Sequence, residues 1–388
     1  MSAVAKNVLD FCRWSAALSH LEPEAVAIDP LLVTYVRGRG PRDHAASNTF
    51  VGIARREGLR LEVVAERFRF DPTVLGQLRK LTDEFCPDIV ATHNVKSHCL
   101  VGLLGSKRRY AWVAFHHGYT AEDLKQRAYN QLNRWSLRRA DRVVTVCRAF
   151  ARQLGEQGID ASKIVVQSNS IERVAPPTPD EVAEARKRCG IADGDRTRLI
   201  VAVGRLSREK GHADLVRAFA LLRKARPEMP AKLAILGEGP ERRAIELASR
   251  RDRVARDVML LGHVDDVRPY YSAADVFVLP SLSEGSPYVL LEAMLAEVPI
   301  VAAAVGGIPD TVRDRVSALL VRAGDPSALA RAMQAILEDT GLAKSLARRA
   351  SGQVLTGHSP ATYARAMMAL YRDVVAREPG VPDALGTA

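Results

Sequence analysis

The stretch Val276-Phe277-Val278-Leu279-Pro280-Ser281-Leu282-Ser283-Glu284-Gly285-Ser286-Pro287-Tyr288-Val289-Leu290-Leu291-Glu292 decides the fold. The apolar run Val276 to Pro280 reads as a short buried strand and the residues after Pro287 as a helix, so the segment is strand, tight loop, helix. Ser286 is a favoured N-cap residue and Pro287 suits the first helical position, which predicts where the helix begins. Glu284 then lies in the loop just past the carboxyl end of a strand, the edge at which open parallel sheets bind their ligands. Glu292 stands among Val289, Leu290, Leu291, Ala293 and Met294, on a helix apolar on nearly every face. Its burial is expected, and a buried carboxylate needs a partner.

Two adjacent sugar hydroxyls can donate to both oxygens of one carboxylate, so a ribose diol suits Glu292. The unpaired backbone N–H groups and positive dipole end near Gly285 and Ser286 suit a phosphate. Together these point to a nucleotide sugar. The alternative makes Glu292 the partner of an arginine on a neighbouring helix and Glu284 a solvated loop residue.

Working outward, the same alternation recurs. Before this segment stand the apolar runs Leu199 to Val203, Lys232 to Leu236 and Val258 to Leu261, and after it Ile300 to Ala304, each followed by a helix or turn. Further upstream the order is strand Asp88 to Thr92, helix Lys96 to Leu104, strand Trp112 to Phe115, helix Ala121 to Arg139, strand Arg142 to Val146, helix Arg148 to Glu156 and strand Ile164 to Gln167. Such alternation implies parallel strands with crossover helices. The Pro-rich run Val174 to Pro179 reads as a linker. The expectation is an α/β chain of two doubly wound domains facing a central cleft: residues 1–175, with 358–388 packing back on them, and residues 180–357. The first pattern, Val4, Val8, Phe11, Cys12, Ser15 and Leu18, is already helical, so the expectation is that either the first strand of such a domain is missing from this sequence or another element fills its place.

Val201 to His212 runs from a buried strand through the Gly204 turn, and Arg205 and Lys210 emerge at the same sheet edge as Glu284. Two cations there can hold a diphosphate and stabilise the charge that develops as it leaves; a surface salt-bridge loop is the plainer alternative. Gly237-Glu238-Gly239-Pro240 lacks the third glycine of a dinucleotide fingerprint, with Pro240 expected to open the next helix. Gly306-Gly307-Ile308-Pro309 repeats the design of a glycine turn before a helix. His116-His117-Gly118 follows a strand of the first domain and is expected to point into the cleft, where a histidine can donate to a sugar hydroxyl or shift a proton. Asp265-Asp266 reads as an N-cap and not a metal site, since His263 lacks the partners of a metal set.

At 388 residues the chain exceeds the usual size of a single core, in keeping with two domains. No run of about 18 apolar residues is present. The N-terminus leads into an amphipathic pattern and not a secretory segment, so the expected location is the cytoplasm. Cys12, Cys86, Cys99, Cys147 and Cys189 are scattered and form no Cys-x-x-Cys pair, which reads as reduced thiols. Residues 1–175 carry 26 Lys and Arg against 18 Asp and Glu, and the remainder 30 against 27, so the basic excess lies in the first half. Its clusters, Lys107-Arg108-Arg109 and Arg134, Arg138, Arg139 and Arg142, could face solvent or an anionic inner-membrane surface. Nucleic acid is disfavoured because aromatic residues are not interleaved with the charges.

Gly204-Arg205 with Lys210-Gly211, Leu236 to Pro240, Leu261-Gly262-His263-Val264, Glu284 to Pro287 with Glu292-Ala293, and Gly306 to Pro309 together resemble the retaining GT-B glycosyltransferases of family 4. Thr92-His93-Asn94, His117-Gly118 and Arg139 to Val143 extend the resemblance into the first half. The resemblance implies a hexosyltransferase that uses a UDP- or GDP-linked sugar and no metal or other cofactor, acting on a polysaccharide, lipid-linked or small-molecule acceptor. It implies that Arg205 and Lys210 bind the diphosphate, Val264 meets the base through its backbone, Glu292 holds the ribose, and Glu284 with the backbone after Gly285 contacts the donor sugar. Gly204, His263, Ser286, Pro287 and Tyr288 belong to the same implied donor site. His117 matches the histidine that reaches the sugar, and the implied mechanism is front-face transfer assisted by the leaving phosphate. Asn169-Ser170-Ile171-Glu172 departs from the family's Asn-Gly turn. A nucleotide-sugar epimerase and a sugar-nucleotide-binding scaffold are the alternatives.

Overall fold

The computed structural model describes residues 3–22, 27–37, 49–68, 71–105, 108–118 and 124–377. The chain divides into two compact units, Met1–Ser168 with Pro360–Ala388, and Asn169–Ser359. The expected linker Val174 to Pro179 lies inside the second unit, where Thr178 caps the helix Pro179–Arg188 in a capping box with Glu181. The division falls earlier because Asn169, Ser170 and Ile171 are already buried in the second unit, with Ile171 in one of its apolar clusters.

In the first unit, β1 (Leu32–Arg37) and β2 (Leu61–Glu66) form a parallel two-stranded sheet. β3 (Ile89–Thr92), β4 (Ala111–His116), β5 (Arg142–Thr145) and β6 (Ile164–Val166) form a separate parallel sheet in that order. The first pair was not foreseen, because Thr34 interrupts the apolar run of β1 and Glu62 and Glu66 bracket that of β2. β4 is buried along its whole length and its residues alternate between two cores. Trp112 and Ala114 pack on one side, while Ala111, Val113 and Phe115 meet Tyr363, Met367 and Val374 of the helix Pro360–Arg377 on the other. That terminal helix therefore belongs to the first unit, and it also packs on the helix Ala3–Leu21 through Leu18, Ala364 and Met368.

The second unit contains β7 (Arg198–Val203), β8 (Ala231–Leu236), β9 (Val258–Gly262), β10 (Val276–Leu279), β11 (Ile300–Ala303) and β12 (Leu319–Val321). All are parallel, in the order β12-β11-β10-β7-β8-β9. Alternate residues of each strand serve opposite faces, as the period of two requires. Leu199, Val201, Phe277 and Leu279 join one core with Leu290, Leu291 and Met294, whereas Ile200, Ala202, Val276 and Val278 join the other with Leu215, Phe219 and Met333. Burial on both faces explains why these strands read as continuous apolar runs. From β7 the chain winds outward through β8 and β9, then returns to place β10 on the opposite side of β7. The direction of winding reverses between β7 and β10, and this is where ligands of such sheets bind.

Candidate functional site

The loops that follow β7 and β10 flank that reversal and interlock. The Leu282 N–H donates to the Glu209 carbonyl at 2.8 Å. Gly211 has φ +67, and a Cβ there would lie 2.2 Å from the Pro280 carbonyl oxygen, so only glycine permits this approach. Gly306, at φ +55, plays the same part on the other side: a Cβ would stand 1.6 Å from the Glu284 carbonyl oxygen. The glycine turns noted in the sequence thus bring neighbouring loops into contact.

Lys210 and Glu284 meet between these loops. The Lys210 ammonium donates to Glu284 Oε1 at 2.6 Å, and the Ser281 hydroxyl donates to the same oxygen at 2.7 Å. Glu284 is 8% exposed, so it is not the solvated loop residue of the plainer reading. Arg205 is exposed and makes no ion pair among the described residues. Gly204 ends the β7 strand edge, where its N–H donates to the Leu236 carbonyl. One carboxylate already neutralises Lys210, and Arg205 keeps its fork available for an anion.

The helix predicted from Ser286 and Pro287 begins later, at Tyr288, with Pro287 in the N-cap position and no side-chain cap. Ser286 does not cap it because its hydroxyl instead accepts the Asn169 N–H at 3.1 Å. Glu292 lies on this helix and is half-buried. The hydroxyl of Tyr271 donates to Glu292 Oε2 at 3.0 Å. Tyr271 is 1% exposed and packs edge-on against Phe277. Burial first, and then the charge of Glu292, hold its phenol well above the ordinary value, so it stays protonated and donates.

At the outer end of β9, Val264 packs against the sheet core, whereas His263 is exposed and faces Asp265 at 3.3 Å. Asp266 does not cap as expected; the next helix is Arg268–Ala273 with Val267 at its N-cap, and Asp266 accepts both the backbone N–H and the guanidinium of Arg268. Pro240 likewise precedes its helix, which begins at Arg242. Ser170 needs no left-handed turn, since its φ is not positive, so its place in the family's Asn-Gly turn carries no strain.

In the first unit, β4 runs one residue past its expected end to include His116. His117 follows it, its ring stacked 5.9 Å from that of His93, which lies 4.2 Å from Phe115. Burial, reinforced by neighbouring histidines, pushes His117 down to about 4 and His93 to about 3. Both rings are therefore neutral at pH 7, and His117 Nε2 is buried without a hydrogen-bond partner among the described residues. A neutral ring can share a proton with a hydroxyl. Tyr271 and Ser281 escaped the sequence reading, and Asn169 was read only as part of a turn. Ser281 carried a faint signal as a small polar residue between a buried strand and Glu284.

Two parallel α/β units, with charged loops at the winding reversal of the second, define the GT-B class of fold. The glycosyl transferases group 1 profile matches residues 197–339 and the glycosyl transferase 4-like domain profile residues 2–170. Together the two profiles span most of the chain and support a group 1 glycosyltransferase of GT-B type. It is 35% identical over 227 residues to a D-inositol 3-phosphate glycosyltransferase of Salinispora arenicola, an alignment covering 54% of this chain and 50% of that protein. With EpsD of Bacillus subtilis it shares 27% identity over 316 residues, 76% of this chain and 82% of that one. Among solved structures, Anabaena HepE in complex with UDP superposes with a TM-score of 0.74 at 17% identity, over 88% of this chain and 100% of that one. No described helix is long and apolar enough to cross a membrane.

Proposed function

We propose that this protein transfers a hexose, with retention of anomeric configuration, from a UDP-linked sugar to a hydroxyl of a carbohydrate, lipid-linked or small-molecule acceptor. The observation that carries the reading is the joining of Lys210 and Glu284 at the winding reversal of the second unit, with Arg205 exposed on the same loop. The UDP bound to HepE supports uracil as the base.

In this reading Arg205 and Lys210 hold the diphosphate and offset the charge that develops on it as the glycosidic bond breaks. Glu284 keeps Lys210 in place and, with the backbone of Gly285 and Ser286, receives the sugar hydroxyls. Glu292, oriented by Tyr271, accepts both ribose hydroxyls. Val264 and His263 border the base, and Pro287 and Tyr288 border the sugar. His117 shares a proton with a hydroxyl of the transferred sugar. The departing phosphate accepts the acceptor's proton on the same face, which accounts for retention without a protein nucleophile. The location assigned is the cytoplasm, with the basic first half resting on an anionic inner-membrane face.

Titration calorimetry with UDP, and hydrolysis of UDP-sugars, test this. Glu292→Ala is expected to weaken UDP binding, whereas His117→Ala binds UDP normally and loses transfer. Equal UDP affinity in Glu292→Ala and the parent protein would remove the ribose assignment. Tight binding without turnover would favour the scaffold reading.

A further inference from the structure

The chain passes from one unit to the other twice, at Ser168/Asn169 and at Ser359/Pro360. Residues beside both crossings are hydrogen-bonded to each other. His358 Nδ1 lies 3.0 Å from the Asn169 carbonyl oxygen, and because a carbonyl only accepts, the ring carries its proton on Nδ1. In return, the Ile171 N–H donates to the His358 carbonyl at 2.8 Å. Asn169 then reaches the loop after β10. Its side-chain amide donates to the Ser286 carbonyl at 2.7 Å, and its backbone N–H donates to the Ser286 hydroxyl at 3.1 Å. The anchor is rigid, since Asn169 is 8% exposed, Ser170 fully buried and Ile171 6% exposed within an apolar cluster.

We infer that Asn169 is a positioning residue for the sugar-nucleotide loop, and that His358 fixes Asn169, so the two chain crossings and the loop Glu284 to Pro287 behave as one coupled element. Both bonds from Asn169 end on Ser286, and their effect is to set the direction of the peptide N–H groups around Gly285 and Ser286. The inference rests on the donor-site reading for its consequence, though not for the clamp itself. Coupling of this kind is reciprocal: whatever shifts the crossings alters the loop's affinity, and occupancy of the loop biases the crossings equally.

The test is amide hydrogen exchange and titration calorimetry on the full chain. Asn169→Asp replaces a donor by an acceptor facing a carbonyl, and Asn169→Ala, the milder companion, removes only the donor. Both, and His358→Ala, are expected to speed exchange in peptides covering Glu284 to Val289. Asn169→Asp is expected to weaken UDP-sugar binding by about tenfold while leaving affinity for uridine unchanged. Unchanged exchange in those peptides overturns the inference, as does an equal loss for uridine and UDP-sugar together with a fall in melting temperature. Faster exchange in a protein whose parent form binds no UDP-sugar keeps the clamp and removes the donor-site reading.

Discussion

Replacing Lys210 by methionine separates the structural and ligand-binding work of one side chain. Glu284 has 7% of its side chain exposed and accepts from Lys210 and Ser281 on one oxygen. Removing the ammonium leaves a nearly buried negative charge with the Ser281 hydroxyl, and losing one partner of a fully buried pair costs about 3–5 kcal/mol. Lys210 is 24% exposed, so water can replace part of what is lost. The expected destabilisation is therefore roughly 2 kcal/mol, near the value of a charge-assisted hydrogen bond. For a unit of this size that is a fall of roughly 4–8 °C in melting temperature. Glu284→Gln alone leaves a partly hydrated cation and costs about 1 kcal/mol. The double variant Lys210→Met/Glu284→Gln removes both charges and recovers most of the stability. Its affinity for UDP stays at least about tenfold below that of the parent, because the cation is gone. Thermal melts and titration calorimetry on the four proteins complete the cycle. Strictly additive stability losses would refute the ion-pair argument, and parental UDP affinity in the double variant would refute the diphosphate assignment.

Tyr271→Phe deletes the hydroxyl that orients Glu292 and is expected to weaken UDP binding about fivefold, with no change for a 2′,3′-dideoxy analogue; equal losses for both would show a packing effect only. Gly306→Ala places a methyl against the Glu284 carbonyl and strains a left-handed backbone, costing roughly 2 kcal/mol by chemical denaturation; parental stability would contradict the close approach. Three histidines of the first unit, His116 buried and His93 and His117 half-buried, set an acid limit. His93, His116 and His117 titrate near 3, 3 and 4 when folded and near 6.5 when unfolded, so the unfolded chain binds more protons between these values. Stability is complete above about pH 6.5 and falls as pH drops towards 4, with a limiting slope of about 1.4 kcal/mol per pH unit for each ring. Circular-dichroism melts at pH 7 and pH 5 giving the same midpoint would contradict their burial.

Five of the six strands of the second unit and their following loops were legible because both are local properties, whereas β12, three residues long and only half-buried, was not read. An apolar run buried on two faces, a glycine turn and a proline near a helix start all lie within about a dozen residues, so Val276 to Leu279 and the Glu284 loop could be placed from one stretch. β1 and β2 were not legible, because Thr34 interrupts the apolar run of one and Glu62 and Glu66 bracket that of the other.

What the amino-acid sequence determined by itself is therefore the set of charged and small residues delivered to one sheet edge. Which of them meet was decided only by tertiary structure. Lys210 reaches Glu284 across 74 residues and Asn169 reaches Ser286 across 117, because β10 returns to pair with β7 and not with β9. Tyr271 meets Glu292 because the helix before β10 and the helix after it share one face of the sheet. No periodicity encodes these pairings: side-chain spacing along a strand or helix specifies which face is buried, while strand order specifies what lies opposite it.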